Sequence, residues 1–209
     1  MAIDKTKRDV FKMKKLLSFI MCAVIIAVSF CACSGPNADM TEENITETVT
    51  VVETALKEFN TEDLEKYVDS STLSIIMGYA KEHQQFIDLG KAIFENLDIE
   101  IKSIDTENST VTVSVTNKDL YQAAGDFASQ LKADYSTLQL LNKLNDNDFL
   151  NRKLTSLCED IDNCEMMPEP TEVTLSIEAG KKNLVLIFDD EAENAVSGGA
   201  LTGIKSIYG

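Results

Sequence analysis

Reactive side chains are sparse in this chain, and the most telling one is Cys33. Lys14 and Lys15 precede a mostly apolar run from Leu16 to Ala32, which ends in a small residue followed by this cysteine. A basic start, an apolar middle and a small-residue end are the layout of a secretory signal peptide. The competing reading is an uncut membrane anchor, but the run is at the short limit for a bilayer span, roughly 17–25 residues. Residues 1–12 are a long basic lead or a mis-assigned start, with Met13 as the initiator; both readings give the same mature chain. Two other thiols follow Cys33, at Cys158 and Cys164. A disulfide between them requires the helix that holds them to end near Asp162 and Asn163, because six residues along a straight helix separate Cα atoms by about 9 Å. Otherwise they are two free thiols.

His83 is the only histidine. No histidine-based metal cluster can therefore be assembled, and any Ser-His-Asp triad would have to use this residue. With Tyr79 and Phe86 at helical spacing around it, His83 reads as a half-buried, hydrogen-bonded side chain on an apolar helix face. Asp146-Asn147-Asp148 and Asp160-Ile161-Asp162 begin like calcium loops but lack the glycine and the glutamate that such a loop places further on. They read as solvated acidic faces. No metal and no cofactor are expected.

The end of the leader resembles the lipobox of bacterial lipoproteins. In that family a small residue precedes a cysteine whose thiol is joined to diacylglycerol before the leader is cut away. Here Ala32 matches the small residue, Cys33 the lipidated one, and Ser34-Gly35 a common start of the mature tether. Phe30 stands where leucine is usual, and Cys31 is also unusual in its place. The resemblance implies a leader over residues 1–32, a tether over 33–40 and one domain over 41–209, held at the outer face of the cell membrane by acyl chains.

Charge supports that division. Residues 1–32 hold six of the 19 Lys/Arg and two of the 35 Asp/Glu, leaving 13 basic against 33 acidic residues and a net charge of −20. Such a chain repels phosphate backbones and anionic lipid surfaces, so nucleic acid is excluded as a partner and membrane attachment falls to the lipid anchor. Two acyl chains suffice for stable anchoring.

The elements that must position any site follow from periodicity. Thr41 can cap a helix in which Ile45, Val49, Val52, Leu56 and Phe59 recur at three- and four-residue spacing. Asn60-Thr61 breaks and restarts the chain, with Leu64, Tyr67 and Val68 on one face. Ile75, Tyr79, His83, Phe86, Leu89 and Ile93 continue the helical spacing, as one long helix or two, with Gly78 and Gly90 as weak points. The period then becomes two. Leu97, Ile99 and Ile101 alternate with charged residues, and Val111, Val113 and Val115 alternate with threonine and serine, as in a hairpin with one wet face. A helical block follows from Lys118 to Asn163. Its stripes are Leu120, Ala124, Phe127 and Leu131, then Leu138, Leu141 and Leu144, then Leu150, Leu154, Leu157 and Ile161. A second hairpin carries Val173, Leu175 and Ile177, then Leu184 to Phe188 as a central strand. A weakly helical tail runs from Ala192 to Tyr208. The predicted class is α+β, with helices on one face of an antiparallel sheet.

Leu56-Lys57-Glu58-Phe59-Asn60-Thr61-Glu62-Asp63-Leu64-Glu65-Lys66-Tyr67-Val68 resembles the start of nuclear transport factor 2-like domains, where a first helix ends in a small polar break before a second. The Thr110–Thr116 strand leading to Asp119, the closing hairpin and Ala195–Leu201 are similar to a group of uncharacterised Firmicute lipoproteins with that fold. The resemblance implies a curved sheet forming a cone with a pocket, in which Tyr67, Tyr79, His83, Asp119 and Tyr121 are the polar candidates. Asp119 also reads as a helix N-terminal residue. The resembled fold hosts binding modules and enzymes alike. The leading expectation is a lipid-anchored binding or interaction domain of unknown ligand. The alternatives are a small-pocket enzyme, isomerase- or dehydratase-like, and a structural accessory of an envelope complex. A binder or enzyme requires an apolar pocket with a few polar groups, an accessory an exposed apolar patch.

Overall fold

A computed structural model describes residues 38–208; the leader, Cys33 and most of the tether lie outside them. Helix α1 spans Glu42–Glu58 and starts as predicted, with the Thr41 hydroxyl accepting from the Asn44 N–H at 3.2 Å. Phe59 closes it in the left-handed region at φ 46°. Asn60 then caps α2 (Thr61–Tyr67) through its side-chain oxygen, which accepts from the Glu62 and Asp63 backbone. The polar break is therefore a C-cap and an N-cap in succession.

The two residues Val68–Asp69 form a short strand, β1, which sequence periodicity does not show. Residues 71–94 form two helices, α3 (Ser71–Ala80) and α4 (Gln84–Phe94). The break falls at Lys81–His83 rather than at either glycine. Gly78 sits within α3 facing open space, and Gly90 is kept small by contact: a Cβ there would lie 2.2 Å from the Phe59 ring.

Strands β2 (Asp98–Asp105) and β3 (Thr110–Thr116) form the first hairpin, with a bulge between Ile101 and Ser103. At its turn Asp105 accepts from the Asn108 side chain and backbone. These bonds, the side-chain one foremost, hold the Asp105 carboxyl below its ordinary range. Strands β4 (Thr171–Ala179) and β5 (Leu184–Ile187) form the second. The sheet order is β1-β5-β4-β3-β2, antiparallel except for the β1–β5 pair. Strand β5 is internal, as its apolar character on both faces predicts. One face carries buried Val111, Val113, Leu175 and Ile177; the other is wet, with the Thr112 and Thr174 hydroxyls 2.9 Å apart.

Between the hairpins the chain forms α5 (Tyr121–Asp134), α6 (Thr137–Lys143) and α7 (Asn147–Asp162); α8 (Asp190–Val196) and α9 (Ala200–Tyr208) close it. The class is α+β. Two apolar clusters result. The first joins α1, α2, α3 and α8 to the sheet, and the second joins α4, α5, α7 and the start of α9, with Phe86 and Ile93 packed against both. Buried Asn117 ties them together: its amide donates to the carbonyls of Ile93 at 3.0 Å and Val196 at 2.7 Å. Gly198, at φ +59°, brings its carbonyl onto the Leu120 N–H at 2.8 Å. A Cβ there would lie 1.9 Å from the Lys118 carbonyl, so both conformation and space demand glycine.

Candidate functional site

The apolar stripes of the helical layer pack into one cluster but leave space between them. The face of α4 with Leu89 and Ile93, that of α5 with Ala124, Phe127 and Leu131, and that of α7 with Phe149, Leu150, Leu154 and Leu157 surround a cavity of about 370 Å³. Helix α3 contributes Leu73 and Ile76, α9 contributes Ala200, Leu201 and Ile204, and Phe59 adds its ring. First and third stripes of the helical block thus face the cavity as their periodicity predicts. The second is corrected. Leu140 and Leu144 turn inward, while Leu138 and Leu141 are 70% and 56% exposed. Leucines on both sides of one short helix leave its inward face undefined by spacing alone.

Among the described residues, four polar ones border the cavity: Thr72, Lys153, Glu193 and Ser197. Glu193 is the most constrained. The Ser70 hydroxyl donates to one carboxylate oxygen at 2.5 Å, the Thr72 N–H donates to the same oxygen at 3.1 Å, and the Thr72 hydroxyl donates to the other at 2.5 Å. Ser70 is the N-cap of α3 and accepts from the Leu73 N–H at 3.0 Å. A carboxylate from α8 therefore sits on the N-terminus of α3, where the helix dipole and free N–H groups favour an anion. Glu193 is buried and closes that end of the cavity as a strut.

Lys153 has the opposite setting. Its side chain is 27% exposed, and its ammonium lies 3.6 Å from the exposed Asp134 carboxylate at the C-terminal end of α5. Lys143 is near: its ammonium lies 5.7 Å from the centroid of Phe149, a lining residue, and 2.6 Å from Asp146. Asp146 in turn caps α7 by accepting from the Phe149 N–H.

None of the five residues expected in a pocket borders this cavity, and each is accounted for by packing. Tyr67 is buried in the sheet-side core, with the Lys66 ammonium 4.5 Å from its ring centroid. Tyr79 stacks on Phe86 at 5.3 Å. His83 is not within an apolar helix face; it is the N-cap residue of α4, and its Nδ1 lies 3.2 Å from the Asn147 Oδ1. Asp119 is exposed and accepts from the Tyr121 N–H at 3.2 Å, a helix N-terminal role. Tyr121 is 44% exposed.

Cys158 and Cys164 are free thiols. Helix α7 continues to Asp162, so Cys158 lies within it and Cys164 just beyond, where its thiol donates to the Asp160 carbonyl at 3.3 Å. Burial is the leading cause that raises both thiols above their ordinary pKa; Asp162 and Asp88 add to it at Cys158, while at Cys164 the Lys118 charge opposes it and Asp119 and Asp160 add to it. Among the described residues no group of three His, Cys, Asp or Glu side chains is placed to hold a metal, and no helix is long and apolar enough to cross a membrane. Cys33 lies outside the described residues.

Glu193 and Lys153 were not distinguishable by sequence. The partners of Glu193 lie more than 120 residues away in the chain, and Lys153 reads as one more solvated charge on an amphipathic helix. Comparison of the chain with family models, curated proteins and solved structures returned no match.

Proposed function

We propose that this domain binds an apolar, acyl-chain-like molecule in the cavity of its helical layer, at the outer face of the membrane to which Cys33 anchors it. The observation that carries this reading is the cavity itself. Its volume, about 370 Å³, lies in the range of small-molecule sites, roughly 300–1,000 Å³. It is more than twice the size of engineered apolar cavities of about 150 Å³ that take up benzene. A pocket of this size with an almost wholly apolar lining is what an apolar small molecule requires.

The paired caps around Asn60 and the five-stranded sheet support a nuclear transport factor 2-like cone, which we propose as the finer fold, while the cavity itself lies among the helices and, among the described residues, none from a strand lines it. The enzyme alternative has no support from the cavity, since no tyrosine or histidine borders it and the one bordering glutamate is held as a helix cap. The test is direct. The domain over residues 36–209, a compact unit, produced without leader or acyl anchor and extracted into organic solvent, should release a bound lipid, seen by mass spectrometry. Binding of an environment-sensitive naphthalene dye should be blocked in Ala124→Phe, which fills the cavity. No extracted molecule, together with dye binding unchanged by Ala124→Phe, would refute the reading.

A further inference from the structure

We infer that the occupant carries an anionic head group, a carboxylate on a single acyl-like chain, and that Lys153 is the residue that holds it. The inference rests on the apolar-ligand reading above and adds the chemistry of the ligand's polar end. Among the described residues, Lys153 is the only cationic one that borders the cavity. In a chain of net −20 after its leader it has cationic company, since Lys143 lies against Phe149, another residue of the cavity wall.

The two lysines differ in how they are held. Lys143 bonds Asp146 at 2.6 Å, and that carboxylate is fixed as the α7 cap. Lys153 faces Asp134 at 3.6 Å, a looser pair whose carboxylate is 56% exposed. An exposed pair of this kind contributes little, so its lysine can be redirected by a ligand at slight cost. A long cationic side chain can keep its stem against apolar wall and carry its charge toward water. An amphiphile placed with its chain among Leu131, Leu140, Phe149 and Leu150 would bring its head group to this ammonium. The other charged residue on the cavity offers no such site: Glu193 repels an anion, and its oxygens are taken by Ser70 and Thr72.

The experiment compares three amphiphiles of one chain length on the same unanchored domain, each below its micellar concentration. Dodecanoic acid, dodecanol and dodecyltrimethylammonium displace the naphthalene dye, and their affinities are ranked. The acid should bind about tenfold more tightly than the alcohol, the worth of one charge-assisted bond, and the ammonium should bind most weakly. Lys153→Met, which keeps the stem, should lower acid affinity about tenfold. Asp134→Asn, which frees the lysine, should raise it roughly threefold. Equal binding of acid and alcohol, or an acid preference that survives Lys153→Met, overturns the inference while leaving the apolar site standing. Preference for the ammonium overturns it and points to Glu193. Failure of all three to displace the dye overturns both readings.

Discussion

Replacing Glu193 with alanine should destabilise the domain by about 3 kcal/mol, through loss of a cap that one helix supplies to another. The carboxylate accepts from the Ser70 hydroxyl, the Thr72 N–H and the Thr72 hydroxyl. Ser70 is 2% exposed and Thr72 is half-buried. Water can reach the Thr72 groups in the variant, so their loss is partly compensated. The Ser70 hydroxyl is left dry, and a buried donor without a partner costs roughly 1–3 kcal/mol. Removing an anion from the α3 N-terminus adds about 0.3–1 kcal/mol. Each buried methylene lost adds about 0.8 kcal/mol. With a urea dependence of about 2 kcal/mol per M, the unfolding midpoint should fall by roughly 1.5 M with an unchanged slope. Glu193→Gln keeps an oxygen for Ser70 and the Thr72 N–H, while the Thr72 hydroxyl can turn to accept from the new amide. It should cost about 1 kcal/mol. Ser70→Ala combined with Glu193→Ala should cost less than the sum of the single variants by about 1 kcal/mol, since the shared bond is lost only once. A midpoint shift in Glu193→Ala below about 0.5 M, or strict additivity with Ser70→Ala, would refute the role assigned to this side chain.

Gly198→Ala forces a left-handed conformation and sets a methyl against the Lys118 carbonyl; it should destabilise by about 3 kcal/mol, measured by urea unfolding, and a loss under 1 kcal/mol would show that the turn relaxes freely. Cys158 and Cys164 are held protonated by burial and nearby carboxylates. Because thiolate is the nucleophile, both should react with iodoacetamide more slowly than a cysteine peptide at neutral pH, and the rate should rise only above the ordinary thiol range. Rates equal to the peptide's would contradict their environment.

Much of this fold is legible because its signals are local. Thr41, Asn60 and Ser70 each cap the helix that follows, and each is the residue type that helix starts prefer. Alternation in Val111–Val115 and Val173–Ile177 places both hairpins, and the uniformly apolar Leu184–Phe188 identifies an internal strand. What escapes is what has no local period. Strand β1 is two residues long, too short to alternate, and exists because β5 offers it an edge. Helix α6 carries leucines at 138, 140, 141 and 144, so spacing alone allows either side to face inward. His83 fits a helical stripe by spacing yet stands at a helix boundary, because the chain breaks at Lys81–His83 where no glycine or proline marks it.

The candidate site was legible in one half only. Its apolar walls are the stripes of α4, α5 and α7, readable as faces that must be buried. That those faces leave space between them as well as packing on one another depends on how the helices are held, and long-range polar ties contribute to that spacing. Asn117 fastens the end of β3 to the last carbonyls of α4 and α8, Glu193 fastens α8 to the start of α3, and the Lys118 ammonium holds the α7 C-terminus through the carbonyls of Ile161 and Asp162. Each tie is a single polar side chain whose partners are distant in sequence, so none leaves a periodic trace. Together they brace the helical layer around the cavity at points the apolar stripes do not reach. A collapsed layer would bury the same leucines and isoleucines against each other, yet it would break these charge-assisted and buried hydrogen bonds. Such bonds are costly to leave unmade, which is why the open arrangement can persist.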